Sequence, residues 1–400
     1  MEVSESTIIN EWEGKSEEND PSVEIPEGPK EYIIAPKGEE TKWYYKLEND
    51  HIVLSEFKSR NTDKNVTIYD KYIVNGNEYQ TKISNNRFGA IDFNGNKYIE
   101  TIKFCDNIDF SEMVSCSAMF SSCTNLLSID LGKGFNTDKV TSIDNMFLGC
   151  SSLRSIDVSN FKFDNEYKAT NVFSRCSSLT EIKGLDTLIT SKCTSIQEIF
   201  GDCKSLPPEF ILNIENWDVS SVTSMRNLFV NCSQIKSLDL STWNTSNVEN
   251  MEGMFKGCNN LIEIKGIDIF DTSKVSTMMN MFVNCSSIEI IDLSTFNTSN
   301  ITSIERMFSG CTSLKSVNVS NFDTSGVTEM SRVFEGCALL SSLDLTSWDT
   351  SNVTSTAYMF DGCKKLEEIL VSRDKWVISD TCNISLMFRT CGTDHVTYVD

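Results

Sequence analysis

The sequence predicts an α/β repeat solenoid, a parallel stack of short strands each followed by a short helix, with a small β-rich module in front. Three observations carry this. A Phe-x-x-Cys pair recurs eleven times, from Phe120/Cys123 through Phe147/Cys150, Phe308/Cys311 and Phe360/Cys363 to Phe388/Cys391. Successive cysteines of the series lie 26 to 29 residues apart, inside the range of stacked repeats. Between the pairs the apolar residues keep fixed offsets, so each copy is one unit that cannot bury its apolar side alone and must stack on its neighbours.

The strand comes first in each unit. Apolar residues follow each cysteine at three, six and eight positions, as in Ile288, Ile291 and Leu293 or Leu314, Val317 and Val319. The last two alternate at period two and share one face of a short strand, which turns the residue between them outward. An aromatic follows (Phe161, Trp243, Phe296, Phe322, Trp348), and then an Asn/Asp-Thr-Ser-Asn/Gly corner such as residues 297–300. Those short polar side chains bond their own backbone and favour a turn. The predicted helix comes last. Val248, Met251, Met254 and Phe255 are spaced by three and four, which fits one helical face, and Gly257, Gly310, Gly336 and Gly362 suit a left-handed helix end.

The array is disturbed once: Cys203 and Cys232 lie 29 apart, and Pro207 and Pro208 remove two ladder donors where a strand begins, which predicts a bend. In residues 181–186 and 263–268 the outward Asp gives way to Lys183 and Lys265. Ahead of the array, residues 1–30 are acidic and proline-containing and read as a disordered tail; Ile8, Ile9 and Trp12 stand out there as a candidate docking peptide. Residues 31–104 are aromatic and β-branched, with Asn75-Gly76 as a hairpin signal, and read as a β-rich module that caps the solenoid of residues 105–400.

Leu-x-x-Ile-x-Leu within most units resembles a leucine-rich repeat, and the fuller pattern MFxGCxxLxxIDLSxFNTSNVTSM resembles the BspA-type repeat of bacterial, mycoplasmal and protist surface proteins. The resemblance implies a surface or adhesive binding protein without chemistry of its own. The array departs from the standard leucine-rich pattern in holding Phe or Trp where an Asn ladder would run.

Composition limits the function classes. A net charge of -22 argues against nucleic acid and anionic membranes as partners. No apolar run is long enough to span a bilayer, and the first residues lack the order of a signal peptide. Eleven of the 15 cysteines occupy one repeat position, where parallel side chains at strand spacing do not converge, so free buried thiols are expected. Cys105, Cys116, Cys193 and Cys382 fall off this ladder. With only His51 and His395 there is no histidine-based catalytic set and no zinc pattern, so no enzyme activity, metal or cofactor is expected. The candidate partner-binding row is Asp130, Asp157, Asp239, Asp292, Asn318 and Asp344, the outward residues of the strands; its alternative reading is a solvated face. Two functions are compatible with these features. One is a non-enzymatic binding or adhesion protein that offers this face to a protein or glycan. The other is a structural or decoration component of a particle, such as the virion of a gut phage, docked through its N-terminal region.

Overall fold

The computed structural model describes residues 32–34, 42–57, 64–74, 76–84, 93–207 and 214–400. The candidate docking peptide Ile8, Ile9 and Trp12 lies outside them, as do Asn75 and Pro208. The amino-terminal part contains strands β1 (Tyr32–Ile34), β2 (Lys42–Glu48), β3 (His51–Phe57), β4 (Asn65–Ile68), β5 (Lys71–Val74), β6 (Asn77–Ser84), β7 (Thr101–Phe104) and β8 (Asp109–Glu112). β2 pairs antiparallel with β3, ending at Glu48↔His51, and β5 with β6, ending at Val74↔Asn77. Gly76 sits in that second connection at φ +80°, a left-handed value that glycine accepts freely. β4 runs parallel to β7, and β7 parallel to β9 (Ser128–Asp130), so this sheet leads straight into the solenoid.

From there short strands continue the stack: β10 (Ser155–Asp157), β11 (Tyr167–Lys168), β12 (Glu181–Lys183), β13 (Cys193–Ser195), β14 (Ser237–Asp239), β15 (Glu263–Lys265), β16 (Ile290–Asp292), β17 (Ser316–Asn318), β18 (Ser342–Leu345), β19 (Glu368–Ser372) and β20 (Thr397–Val399), with β11 and β13 on the opposite side. Pairing is parallel and in register, as in Ile291↔Val317 and Leu343↔Ile369. The opposite side carries a thinner parallel ladder, one residue per rung, through Ser224, Asn250, Thr277, Ser303, Glu329, Ser355 and Asn383.

The predicted short helix is absent: no α-helix occurs among the described residues. The backbone groups it would have paired internally bond to the next rung. In the rung of Cys311, the N–H groups of Ile304, Arg306, Phe308 and Gly310 donate to the carbonyls of Glu329, Ser331, Val333 and Glu335 at 2.7–3.3 Å. The alternate residues Met307, Ser309 and Cys311 close tight turns three residues back, each at 3.1 Å. An α-helix needs every N–H directed four residues back along its axis. Here left-handed residues four apart turn the chain instead: Arg306 and Gly310 at φ +57° and +76°, Asn280 and Asn284 at +60° and +59°, Asn227 and Asn231 at +54° and +58°. The glycine before each cysteine is therefore left-handed as expected, but it closes a turn. The fold is a β-solenoid.

Its core is a set of ladders. Twelve phenylalanine rings stack face to face from Phe93 to Phe388; from Phe120 onward neighbouring centroids are 5.3–6.1 Å apart. Phe93 begins a rung without a cysteine and lies inside what reads in the sequence as the β-rich module. Every ladder cysteine from Cys123 to Cys363 is buried, and its Sγ–H donates to the phenylalanine carbonyl of the preceding rung, as Cys311 does to Phe282 at 3.1 Å and Cys363 to Phe334 at 3.0 Å. That carbonyl also accepts the N–H of its own rung's cysteine, so a small buried thiol both fills space and satisfies a second lone pair. Thr245, Thr272, Thr298 and Thr324 form another buried ladder, each Oγ1 donating to a carbonyl of the next rung at 2.9–3.0 Å. The sequence gives these threonines only as corner residues.

Candidate functional site

The outward row lies along the strand side and takes one residue from each of six rungs. Asp130, Asp157 and Asp239 end β9, β10 and β14; Asp292 and Asn318 end β16 and β17; Asp344 is the third residue of β18. Asp130, Asp157, Asp292 and Asp344 are exposed, and Asp239 and Asn318 are half-buried. None of them packs into the core. Each turns one oxygen back onto its own chain, where it accepts the N–H two residues on: Gly132 for Asp130, Ser159 for Asp157, Ser241 for Asp239, Ser294 for Asp292, Ser320 for Asn318 and Thr346 for Asp344, at 2.9–3.3 Å. The hydroxyls of Ser241 and Thr346 add bonds of 2.6 and 2.7 Å to the same oxygens. This is the local side-chain-to-backbone bonding that ends a strand and begins a corner.

The same bonds set the electrostatics. Hydrogen bonds from Ser159 and Ser241 hold the carboxyls of Asp157 and Asp239 below the usual range, and the Ser294 N–H does so for Asp292. These side chains are therefore ionised and oriented before anything meets them. Lys183 and Lys265 interrupt the row by standing directly beside Asp157 and Asp239 in the parallel register. Lys265 Nζ is 4.0 Å from Asp239 Oδ2, a solvent-exposed pair. The glycine after each lysine is required: a Cβ on Gly184 or Gly266 would stand 2.4 Å from the Cα of Ser159 or Ser241. Near its amino-terminal end the row borders a shallow cleft of about 490 Å³ that Asp130 and Asp157 share with Lys103, Asp106 and Lys133.

The other chemistry-bearing residues are brought to no common place. The second aromatic row, including Phe161, Trp243, Phe296, Phe322 and Trp348, is buried and offers no stacking platform to a sugar. Burial pushes the ladder thiols up, to about 12 for Cys176, Cys258 and Cys311, which leaves them protonated and poor nucleophiles. Cys116, Cys193 and Cys382 are buried and Cys105 is half-buried, all as free thiols. Cys116 and Cys193 stand seven and ten residues before a ladder cysteine, where other rungs hold Ile304 and Val248, so they serve as small apolar residues. His51 bonds the aspartate before it, Asp50, at 2.7 Å, and His395 bonds Asp394 at 2.9 Å and the Thr393 hydroxyl at 3.3 Å. Among the described residues no cluster of His, Cys, Asp and Glu could hold a metal ion, and no helix is long and apolar enough to cross a membrane.

Several solved structures are similar over nearly the whole chain. A leucine-rich cell surface protein from Faecalibacterium prausnitzii matches with 18% identity over 90% of this chain and 93% of its own, at a TM-score of 0.44. The pneumococcal vaccine antigen PcpA matches with 14% identity over 90% and 86%, at 0.37, and a leucine-rich repeat protein from Bacteroides ovatus with 17% over 90% and 98%, at 0.26. Comparison with curated proteins gives no match. One family model matches three times in tandem, over residues 91–208, 194–290 and 279–397, and so accounts for the array from the Phe93 rung onward. The chain belongs to the family described as Mycoplasma protein of unknown function, DUF285.

Proposed function

We propose that this is a non-enzymatic repeat protein that binds a protein or glycan partner along its strand side, through Asp130, Asp157, Asp239, Asp292, Asn318 and Asp344. The observation that supports this reading is the fixed orientation of the row: six rungs each hold an outward Asp or Asn that accepts a hydrogen bond from its own backbone two residues on. Groups already ordered lose little freedom on binding, so more of the contact energy survives as affinity. The free carboxylate oxygens accept hydrogen bonds, which fits cationic or donor-rich surfaces, a basic protein patch or the hydroxyls of a glycan. The Phe-x-x-Cys pattern adds an adhesive role of the BspA type to the proposal.

The test is binding of the labelled protein to a printed panel of glycans and matrix proteins, alongside the triple variant Asp239→Lys, Asp292→Lys, Asp344→Lys. Binding that weakens at least tenfold in the variant, and weakens in the wild type as salt rises, supports the strand side as the site. Unchanged binding by the variant removes this face from the function.

A further inference from the structure

On the side opposite the strands, four successive rungs, those of Cys150, Cys176, Cys203 and Cys232, border a cleft of about 370 Å³. A β-bulge marks the place. Tyr167 pairs with Cys193 and Lys168 with Ser195, so Thr194 is an extra residue in the ladder, the irregularity that re-aims side chains at sheet edges. The next step of the ladder is stretched: the Ile196 N–H reaches the Ser224 carbonyl at 3.4 Å, against 3.0 Å for Ala169 to Ser195 and 2.9 Å for Met225 to Asn250. Ser224 lines the cleft while only 8% exposed, and its Oγ has no hydrogen-bond partner. Other residues of the same ladder are bonded: Ser142 Oγ accepts the Asp144 N–H at 3.2 Å, Asn250 Oδ1 the Glu252 N–H at 2.9 Å and Ser303 Oγ the Glu305 N–H at 3.3 Å. A buried hydroxyl without a partner costs stability unless something supplies one.

We propose that this cleft binds a neutral saccharide, a sugar unit of a glycan, which supplies the missing partner to Ser224. The lining selects that class. It contains no aromatic or branched aliphatic residue, which disfavours an apolar ligand, and its two charges, Asp144 and Lys168, cancel, so no net charge selects an ion. What remains is hydroxyls and amides. Asp144 Oδ1 is committed to the Thr170 N–H at 2.7 Å and Asn145 Oδ1 to Asn171 Nδ2 at 3.0 Å, which leaves Asp144 Oδ2 as an acceptor and Asn145 Nδ2 as a donor. The side chains of Gln197 and Lys168 bond nothing else among the described residues. Neighbouring donors and acceptors match sugar hydroxyls, each of which donates and accepts. No bond fixes the Ser224 hydroxyl, so it can turn towards one of them by rotating about χ1. At about 370 Å³ the cleft falls within the range of about 300–1,000 Å³ that holds small ligands. The site shares no residue with the strand-side row and does not depend on it.

The experiment uses the full chain with the methyl glycosides of glucose, galactose, mannose and N-acetylglucosamine and with short neutral oligosaccharides built from them, binding being read by saturation-transfer NMR and titration calorimetry. Wild type is compared with Ser224→Ala, with Gln197→Ala, with Ser303→Ala as a ladder serine outside the cleft, and with the strand-side Asp→Lys triple variant. The proposal expects at least one sugar to bind the wild type and the triple variant alike. Affinity should fall about threefold to tenfold in Ser224→Ala and in Gln197→Ala, the worth of one hydrogen bond, and stay unchanged in Ser303→Ala. Ser224→Ala should also unfold at the same denaturant concentration as the wild type or a higher one, because it removes a buried hydroxyl that bonds nothing. Lower stability of Ser224→Ala shows a hydroxyl bonded within the protein and overturns the site, as do binding by none of the sugars and binding that both cleft variants leave unchanged. An equal loss in Ser303→Ala overturns it too. Glycine, added as a zwitterion, binding in place of the sugars overturns the saccharide. A sugar response lost in the triple variant but kept in the cleft variants overturns this inference in favour of the strand side, whereas failure of the strand side to bind leaves it standing.

Discussion

The rungs of Cys311 and Cys391 share the Phe-x-x-Cys pair, the left-handed pairs and the turn hydrogen bonds, but among the described residues only the first has a neighbour on both sides. Phe308 and Cys311 are each 1% exposed, whereas Phe388 and Cys391 are half-buried. The local conformation is the same in both. What a rung gains in the middle of the array is therefore contact, the second face of a stacked ring and four backbone acceptors. Stability in such a molecule belongs to interfaces between rungs, and a residue's worth depends on its place along the axis.

The largest expected effect follows from ring stacking. Phe308→Ala removes a side chain stacked at 5.6 Å on Phe282 and 5.5 Å on Phe334 and leaves a cavity, at a cost of about 3–5 kcal/mol. Phe388→Ala removes a ring covered on one face only and should cost about half as much. Limited proteolysis should nick the Phe308 variant first between residues 282 and 334, whereas equal loosening along the whole chain would break the nearest-neighbour picture.

The cysteines give a smaller version of the same contrast. Cys311→Ala removes the thiol that donates to the Phe282 carbonyl and opens a small cavity, for about 1–2 kcal/mol. Cys391→Ala should be close to neutral, since no equivalent Sγ bond to a neighbouring rung forms there. Before unfolding, Cys391 and Cys105 should react with a thiol reagent well ahead of the ten buried ladder cysteines; equal rates at Cys311 and Cys391 would show that the interior opens freely. Smaller again is Thr298→Val. It keeps the shape but leaves the Asp323 carbonyl without the Oγ1 donor, and should lower stability by about 1 kcal/mol in chemical denaturation.

The same ladders decide how much the sequence could reveal. The stacking period, the strand at Ser-Ile-Asp, the buried aromatics and the free thiols were legible because each depends on residue type at a fixed offset. The helix was misread because apolar steps of three and four describe a chain of tight turns as well as they describe a helical face. The distinguishing signal lay in the residues between, Asn227/Asn231, Asn280/Asn284 and Gly253/Gly257, pairs four apart that favour φ above zero. It is obscured where Arg306, Arg332 and Tyr358 adopt the same conformation, held there by hydrogen bonds to the next rung. The Phe93 rung was missed because Asn96 stands in place of its cysteine. For the candidate site, the sequence located the Asp row but not the backbone bonds that fix it.

Those bonds support the last prediction, the smallest in effect and the one that separates surface from core. The carboxyls of Asp157, Asp239 and Asp292 have folded pKa values below their unfolded value of about 3.9. Their contribution is therefore complete above that value and disappears as the pH falls through the depressed folded values. Replacing all three with Asn keeps a side-chain oxygen for the N–H two residues on, as Asn318 does for Ser320 at 3.3 Å, but removes the titration. The triple variant should match the wild type's fold near neutral pH and lose stability less steeply below about pH 4. The buried cysteines, phenylalanines and threonines of the ladders carry no charge in this range, so the slope that remains measures carboxylates elsewhere, such as Asp361, whose pKa is lowered by its hydrogen bond from Arg389. Acid unfolding followed by circular dichroism in both proteins checks this. Identical slopes would show that the row's hydrogen bonds are made no better by the folded chain than by the unfolded one, and would remove the preorganisation on which the proposed binding face rests.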